Sequence, residues 1–202
     1  MANIQSPNAV GTRQEKLNRF FVAYCNNMDE SGKVSASISR LCNEAVVSRA
    51  FFYAFIGNTD KAPDVAYEVV REQAETYLAS IDDDGCISVL RALLDAAIEA
   101  RYAAGVVLRC PTARAKYREY LSAVLEERVF VRDPDATEEE NNDIFMMNKL
   151  YFFFCLGNIV EDALYKGALF STESEAKRIL AVMRGIRSAK ASAQLTNKAV
   201  SK

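Results

Sequence analysis

Glycine and proline are scarce along this chain, with eight glycines and four prolines among 202 residues. An all-β sandwich or barrel needs such residues at most of its turns. Apolar residues make up 50% of the chain and charged residues 26%, a balance typical of a folded protein rather than a disordered or fibrous one. The composition therefore predicts an all-α protein of one globular unit or two small ones.

Histidine is absent, and its absence excludes more functions than any other single count. Ser-His and Cys-His nucleophile pairs, His-ligated zinc and histidine-containing di-iron sites all need an imidazole. The cysteines are odd in number, are scattered and form no Cys-x-x-Cys pair: Cys25, Cys42, Cys86, Cys110 and Cys155. We therefore expect a protein that is not an enzyme and has no catalytic residues, metal or cofactor.

Two features bear on localisation. The N-terminal residues MANIQSPNAVG lack the basic and apolar segments of a secretory signal peptide. The longest apolar run, 151–156 followed by Ile159 and Val160, has about half the length that a bilayer requires and is interrupted by Gly157 and Asn158. Together with the cysteine pattern, these features predict a reduced, cytoplasmic protein without a membrane span.

Apolar residues recur at helical spacing along most of the chain. Thr12 with Glu15, Thr137 with Glu140 and Thr172 with Glu175 fit the S/T-x-x-E capping box that begins a helix. Gly105 and Pro111 mark a break between helices. The patterns predict about nine helices, including segments at about 12–28, 38–45, 49–56, 59–81, 87–102, 117–129, 138–168 and 172–187, and a flexible tail at 189–202.

The first three segments have the layout of a helix-turn-helix unit, in which the second helix of the pair enters the DNA major groove. Residues 37–58 read SISRLCNEAVVSRAFFYAFIGN. This stretch resembles the TetR family of tetracycline-repressor-like regulators, whose pattern reads approximately TVRDIAxxAGVSRGTFYxHFGS. The matching positions are Ser37, Ile38, Leu41, Ala45, Val47, Ser48, Arg49, Phe52, Tyr53, Ile56 and Gly57.

The resemblance implies a dimeric transcriptional regulator, with residues 1–60 binding double-stranded operator DNA and residues 61–188 binding a small-molecule effector and the partner subunit. An effector would then move the fourth helix and change the spacing of the two recognition helices. Hydroxyls and exposed amides at helix starts suit phosphate oxygens. The residues expected at the DNA are Ser37, Val47, Ser48, Arg49, Ala50, Phe51, Tyr53 and Lys61. Read without the resemblance, Ser37 and Ser48 are helix caps and Arg49 is a surface charge.

Several positions depart from the family pattern. Val46 occupies the glycine position of the turn, where a positive φ would be unfavourable for a β-branched residue. Ala54 and Phe55 replace a polar or basic pair. Residues 1–60 carry six basic and five acidic side chains: Arg13, Lys16, Arg19, Lys33, Arg40 and Arg49 against Glu15, Asp29, Glu30, Glu44 and Asp60. An alternative is therefore a TetR-like helical module with weakened DNA binding that serves in protein interaction or small-molecule binding.

The C-terminal segments predict a ligand pocket and a homodimer interface. The pocket residues expected are Tyr67, Leu94, Ile98, Tyr102, Tyr117, Leu121 and Phe152, although an ordinary core has the same pattern. The segment at 138–168 carries apolar residues on nearly every face. One of these faces would be exposed in a monomer, so we expect dimerisation through the helices at 138–168 and 172–187.

Two acidic clusters leave an enzyme alternative open. A metal-diphosphate site of the prenyl-transferase kind would have aspartates spaced D-D-x-x-D, but Cys86 stands at the last position after Asp82 and Asp83. Negative charge is favourable at a helix N-terminus. The clusters 82–84 and 138–140 are therefore interpreted as charges at helix starts.

Overall fold

A computed structural model describes residues 11–29, 31–83, 85–166 and 171–200, with side chains to residue 189. The described residues form nine α-helices and no β-strand, which confirms the all-α prediction. An isolated bridge joins Met28 to Val34. The elements in order are α1 Arg13–Asn26, α2 Ile38–Glu44, α3 Arg49–Phe55, a 3-10 turn Thr59–Lys61, α4 Ala62–Ala79, α5 Cys86–Glu99, α6 Arg101–Arg109, α7 Pro111–Arg128, α8 Glu138–Tyr165 and α9 Thr172–Val200.

Two of the three predicted capping boxes are present. The Thr12 hydroxyl accepts a hydrogen bond from the Glu15 amide at 3.2 Å, and the Glu15 carboxylate accepts one from the Thr12 amide at 2.7 Å. Thr137 and Glu140 make the same pair of bonds at the start of α8. The third prediction is wrong by one residue, because the hydroxyl of Ser171 accepts the Ser174 amide and Thr172 is already helical.

The predicted break at Gly105 is also wrong, because this glycine lies inside α6. A Cβ added at Gly105 would stand 2.7 Å from Cδ1 of Leu164 in α8. The glycine thus allows a close approach of two helices and does not end one. Pro111 begins α7, where its missing N–H is not needed.

The backbone after residue 188 differs from the prediction as well. Helix α9 continues to Val200, so the segment predicted as a tail is helical as far as that residue. Alanine and lysine are frequent there and have high helix propensity, which allows a helix to continue without an apolar face.

One cluster of buried side chains runs from α1 to α9, across the boundary predicted at residue 60. Helix α4 packs against α5, α6 and α7, while α1 packs against α6. Helix α8 lies against α6 and α9. The first three helices are therefore held directly against the remainder of the bundle.

Helix α8 is long and apolar enough to cross a membrane by length and composition alone. The sequence predicts no membrane span from its longest uninterrupted apolar run, and passing these criteria does not contradict that prediction. A core helix of a soluble protein meets the same criteria, and one face of α8 is buried in the bundle.

Candidate functional site

The turn between α2 and α3 adopts the geometry that the glycine of the family pattern would provide. Val46 has a φ of +52°, and it is the one non-glycine residue with a positive φ in the described part of the chain. Its amide donates to the Asn43 carbonyl at 3.2 Å, and the Val47 amide donates to the Cys42 carbonyl at 3.0 Å. These bonds form a Schellman motif with Val46 in the left-handed position.

Neighbouring groups hold this turn in place. Arg19 of α1 donates from Nε to the Ala45 carbonyl at 3.1 Å. Val47 is buried in the core, and Phe52 of α3 packs against Phe20 of α1 with ring centroids 5.5 Å apart. A strained backbone persists only where surrounding contacts fix it, and these contacts fix the turn.

Helix α3 exposes one continuous face to solvent. Arg49, Ala50, Tyr53 and Ala54 are exposed, and the Tyr53 side chain is 58% accessible. Arg49 also donates to the Ser39 hydroxyl of α2, which joins the starts of the two helices. The predicted residues at 49, 50 and 53 therefore share one accessible surface.

An aromatic pair lies beside this face, against cations of α1. The rings of Phe51 and Phe55 are 4.8 Å apart. The Arg13 guanidinium lies 5.0 Å from the Phe55 ring centroid, and the Lys16 ammonium lies 5.9 Å from that of Phe51. Arg13 and Lys16 were absent from the predicted site, and the only signal for them was their i, i+3 spacing on α1.

The remaining residues that were predicted to contact DNA differ in their burial and hydrogen bonding. The hydroxyls of Ser37 and Ser48 cap α2 and α3 by accepting the amides of Arg40 and Phe51. Val47 is buried, so its side chain supports the exposed face from behind and does not belong to it. Lys61 is exposed, with its Cδ near Gly57 after the end of α3.

Local acids reduce the positive charge of this surface. Arg40 forms an ion pair with Glu44 at 2.8 Å, and Asn27 donates to the same carboxylate at 2.6 Å. The hydrogen bond from Arg40 lowers the pKa of Glu44, and the bond from Asn27 lowers it further. Arg40 is therefore a weaker attractant for a phosphate than an unpaired arginine would be.

Besides the packing of α1 against α6, two local contacts connect the first three helices to the rest of the described protein. The Tyr24 hydroxyl donates to the Thr59 carbonyl at 3.1 Å, and burial raises the pKa of Tyr24 to about 12. Gly32 has a φ of +81°, and a Cβ there would stand 2.8 Å from the Arg109 carbonyl oxygen. The first contact is to the turn that precedes α4, and the second is to the junction between α6 and α7.

The predicted ligand pocket is mostly packed core. Leu94, Tyr117, Leu121 and Phe152 are buried, while three further residues are partly buried: Tyr67, Ile98 and Tyr102. The Tyr117 hydroxyl has no hydrogen-bond partner among the residues described, and burial raises its pKa strongly. A cavity of about 350 Å³ lies elsewhere, and none of the seven predicted residues lines it.

Large apolar side chains form an exposed face on α8. The Phe154 side chain is 67% accessible. A Cβ added at Gly157 or at Gly185 of α9 would meet nothing within 4 Å. The exposed apolar residues of α8 are Met146, Met147, Leu150, Phe154 and Tyr165, and Val182 of α9 is also exposed.

In the described ranges, the acidic clusters form hydrogen bonds with groups at the starts of nearby helices. Asp83 accepts the Gly85 amide at 2.7 Å and the Ser88 hydroxyl at 3.1 Å, both at the start of α5. Asp84 lies outside the described residues. Across the described ranges, no group of three or more Cys, Asp or Glu side chains is arranged to hold a metal ion.

Comparison with models of protein families gives no match, and comparison with curated proteins gives none either.

Proposed function

We propose that this protein is a dimeric, ligand-responsive transcriptional regulator that represses by binding operator DNA, with α3 as its recognition helix. The observation that most supports this proposal is the left-handed backbone conformation of Val46 in the turn between α2 and α3. A β-branched residue is costly there, at roughly 1–2 kcal/mol, yet the turn keeps a conformation that sets α3 relative to α2. Retention of that geometry at a cost supports selection for the orientation of α3.

The exposed face of α3 offers the chemistry for reading DNA. Arg49 suits a guanine edge or a phosphate, and the Tyr53 hydroxyl suits a phosphate. The edge of Phe51 suits a thymine methyl. Arg13 and Lys16 flank this face and are available to phosphates on one side. Because the basic side chains are few, we expect modest affinity and a shallow salt dependence, with a slope of about 0.9 per phosphate contact.

The exposed apolar face of α8 supports a homodimer with a second copy of this chain. Leu150 and Phe154 lie one turn apart on that face, and both are largely exposed. Gly157 on α8 and Gly185 on α9 leave room for a close approach of partner helices. A dimer of this kind would bury the face and present two copies of α3 to one duplex.

The proposal includes a cytoplasmic setting and an effector that acts through α4. All five cysteines are free, as in a reducing compartment. Since α4 packs against α5, α6 and α7 and begins next to the Tyr24–Thr59 contact, its movement would shift α3 in each subunit. Loss of the fit to successive major grooves would then release the DNA.

A second candidate is a helical interaction module that has lost strong DNA binding. It is favoured by the exposed alanines of α3 and by the engagement of the nearby cations, with Arg40 paired to Glu44 and Arg49 bonded to Ser39. Under this candidate, α3 would contact a protein surface instead of a groove.

Fluorescence anisotropy with a duplex from upstream of the gene and a scrambled duplex, at two salt concentrations, separates the two candidates. The regulator predicts preferential, salt-weakened binding to the upstream duplex. Arg49→Ala should weaken binding about tenfold, the equivalent of about 1.4 kcal/mol within the range for one specific contact, and Tyr53→Phe less.

Arg132→Ala is the matched control, because Arg132 is an exposed arginine in the loop after α7, paired with Glu126. It should leave DNA binding unchanged. Equal weak binding to both duplexes, or the same affinity for Arg49→Ala and wild type, would favour the interaction module.

A further inference from the structure

We propose that the cavity of about 350 Å³ between the end of α7, α8 and α9 binds a small amphipathic carboxylate, with its acid group held by Asn148, Arg184 and Arg187. The cavity size falls in the range of small-molecule sites, roughly 300–1,000 Å³. Its apolar wall includes Phe130, Leu180 and Met183.

Asn148 supplies the first polar feature. Its side chain is 6% accessible, and its Oδ1 atom is buried without a hydrogen-bond partner in the described part of the protein. A buried amide oxygen left unpaired is unfavourable. The carboxamide lines the cavity, and with its oxygen and nitrogen exchanged, an assignment that side-chain amides allow, its N–H groups stand at this unpaired position and can donate to a ligand acceptor.

Asn141, seven residues earlier on the same buried side of α8, differs from Asn148 because its side chain is fully hydrogen-bonded. Its Oδ1 accepts the Asp133 amide at 2.8 Å, and its Nδ2 donates to the carbonyls of Asp133 at 3.0 Å and Thr137 at 3.2 Å. Asn141 therefore has a structural role in holding the loop before α8. Asn148 has no such partners among the described residues, so a structural role does not account for it.

The charges at the cavity favour an anion. Arg184 and Arg187 line it from successive turns of α9, and no acidic residue is among the described residues that line it. The Arg187 guanidinium lies 5.7 Å from the Phe130 ring centroid, which positions it at the apolar wall. Neither arginine forms an ion pair with a described carboxylate. Guanidinium groups bind carboxylates through paired, charge-assisted hydrogen bonds.

The apolar and charged parts together define the ligand class. A hydrocarbon chain or ring fits against Leu180 and Met183, while a carboxylate oxygen accepts from the arginines and from the Asn148 amide. Amide orientation in Asn148 is interchangeable between oxygen and nitrogen, so its N–H groups can face the ligand. A neutral or cationic amphiphile would leave the arginines without a partner.

The cavity lies at the opposite end of the bundle from α1–α3. Helix α7 begins beside Gly32 and ends at the cavity, and its 18 residues span roughly 27 Å at about 1.5 Å per residue. Both α8 and α9, which carry the proposed dimer face, contribute to the cavity. A regulatory effect of the ligand rests on the proposed function, but its binding does not.

Isothermal titration calorimetry of the full chain at neutral pH, without DNA, tests the binding directly. The probe is octanoate, compared with 1-octanol and octylammonium. We expect saturable binding of one octanoate per chain, with both other probes at least tenfold weaker. No saturable heat with octanoate, or equal binding of 1-octanol, would overturn the proposal.

Two variants locate the site. Arg187→Gln and Asn148→Leu should each weaken octanoate binding at least tenfold. Arg118→Gln is the matched control, since the Arg118 guanidinium also lies over a ring, that of Phe153, but does not line the cavity. Octanoate binding that is unchanged in Arg187→Gln, or that is lost equally in Arg118→Gln, would contradict the assignment.

Thermal unfolding of Asn148→Leu separates a ligand role from a structural one. Because leucine removes an unpaired buried amide, we expect a melting temperature equal to or above that of the wild type, together with loss of octanoate binding. A fall in melting temperature would indicate that Asn148 supports the fold and would count against its role in binding. If binding is found and DNA affinity is unaffected by octanoate, only the regulatory consequence is wrong.

Discussion

At the residue scale, Val46 is a β-branched residue in a backbone conformation that is unfavourable for it. Its φ of +52° lies in the left-handed region, and its side chain is 50% exposed, so little burial offsets the strain. The cost is offset by contacts of its neighbours, especially the burial of Val47 and the Arg19 bond to the Ala45 carbonyl.

Val46→Gly is therefore expected to stabilise the protein. Relief of the left-handed strain raises the free energy of unfolding by about 1–2 kcal/mol. The greater conformational freedom of glycine in the unfolded chain lowers it by about 0.4–1 kcal/mol. The net gain in the free energy of unfolding is about 1 kcal/mol, measured as a higher urea midpoint at an unchanged m-value.

Val131→Gly is the control for that substitution, because Val131 is also exposed, at 64%, and does not have a positive φ. It should not stabilise the protein. A gain of equal size in both variants would show that the backbone of Val46 is not strained.

At the element scale, glycines 32 and 57 differ in what surrounds them. Both have a positive φ, of +81° and +84°. A Cβ at Gly32 would stand 2.8 Å from a backbone oxygen, whereas at Gly57 the nearest atom, in the Lys61 side chain, is 3.7 Å away. Gly32 thus serves the packing between the loop after α1 and the start of α7 as well as its own turn.

Gly32→Ala should consequently cost more stability than Gly57→Ala. The backbone conformation alone costs about 1–2 kcal/mol in each variant, and the collision at Gly32 adds about 1–3 kcal/mol. Urea unfolding of the two variants measures the difference. Losses of the same size would mean that the contact between these loops is not tight.

The features that were predicted correctly depend on residues close together in sequence. The capping boxes at Thr12 and Thr137 follow from side chains three positions apart, and the starts of α2 and α3 follow from Ser37 and Ser48. The role of Gly105 was missed because its neighbour Leu164 belongs to a distant helix.

In the candidate site, too, the sequence predicted only those features that depend on residues close together in the chain. Arg49 and Tyr53 were predicted from a local pattern and share the exposed face of α3, whereas the position of Arg13 beside that face depends on a ring of another helix. The expected pocket residue Tyr117 belongs to the core, since apolar periodicity is the same for a packed interface and a cavity. Asn148 has no periodic signal that distinguishes it from Asn141.

At the scale of the whole molecule, the exposed face of α8 predicts the oligomeric state. Sedimentation equilibrium should give twice the chain mass of 22.5 kDa for the wild type. The double variant Leu150→Glu, Phe154→Glu should sediment as a monomer, because association would bury unpaired carboxylates.

Tyr53→Glu places the same charge on an exposed side chain of α3 instead of α8 and should remain dimeric. A wild-type monomer, or a double variant that still dimerises, would contradict the proposed interface.

The central claim is that two copies of α3 read one DNA duplex. Selection from a pool of random duplexes with the wild-type protein tests it most directly. We predict enrichment of a two-fold symmetric motif whose half-sites are centred about 10–10.5 base pairs apart, or a multiple of that spacing, and its loss with Arg49→Ala. Absence of any enriched motif from a folded, dimeric wild-type protein would contradict the account.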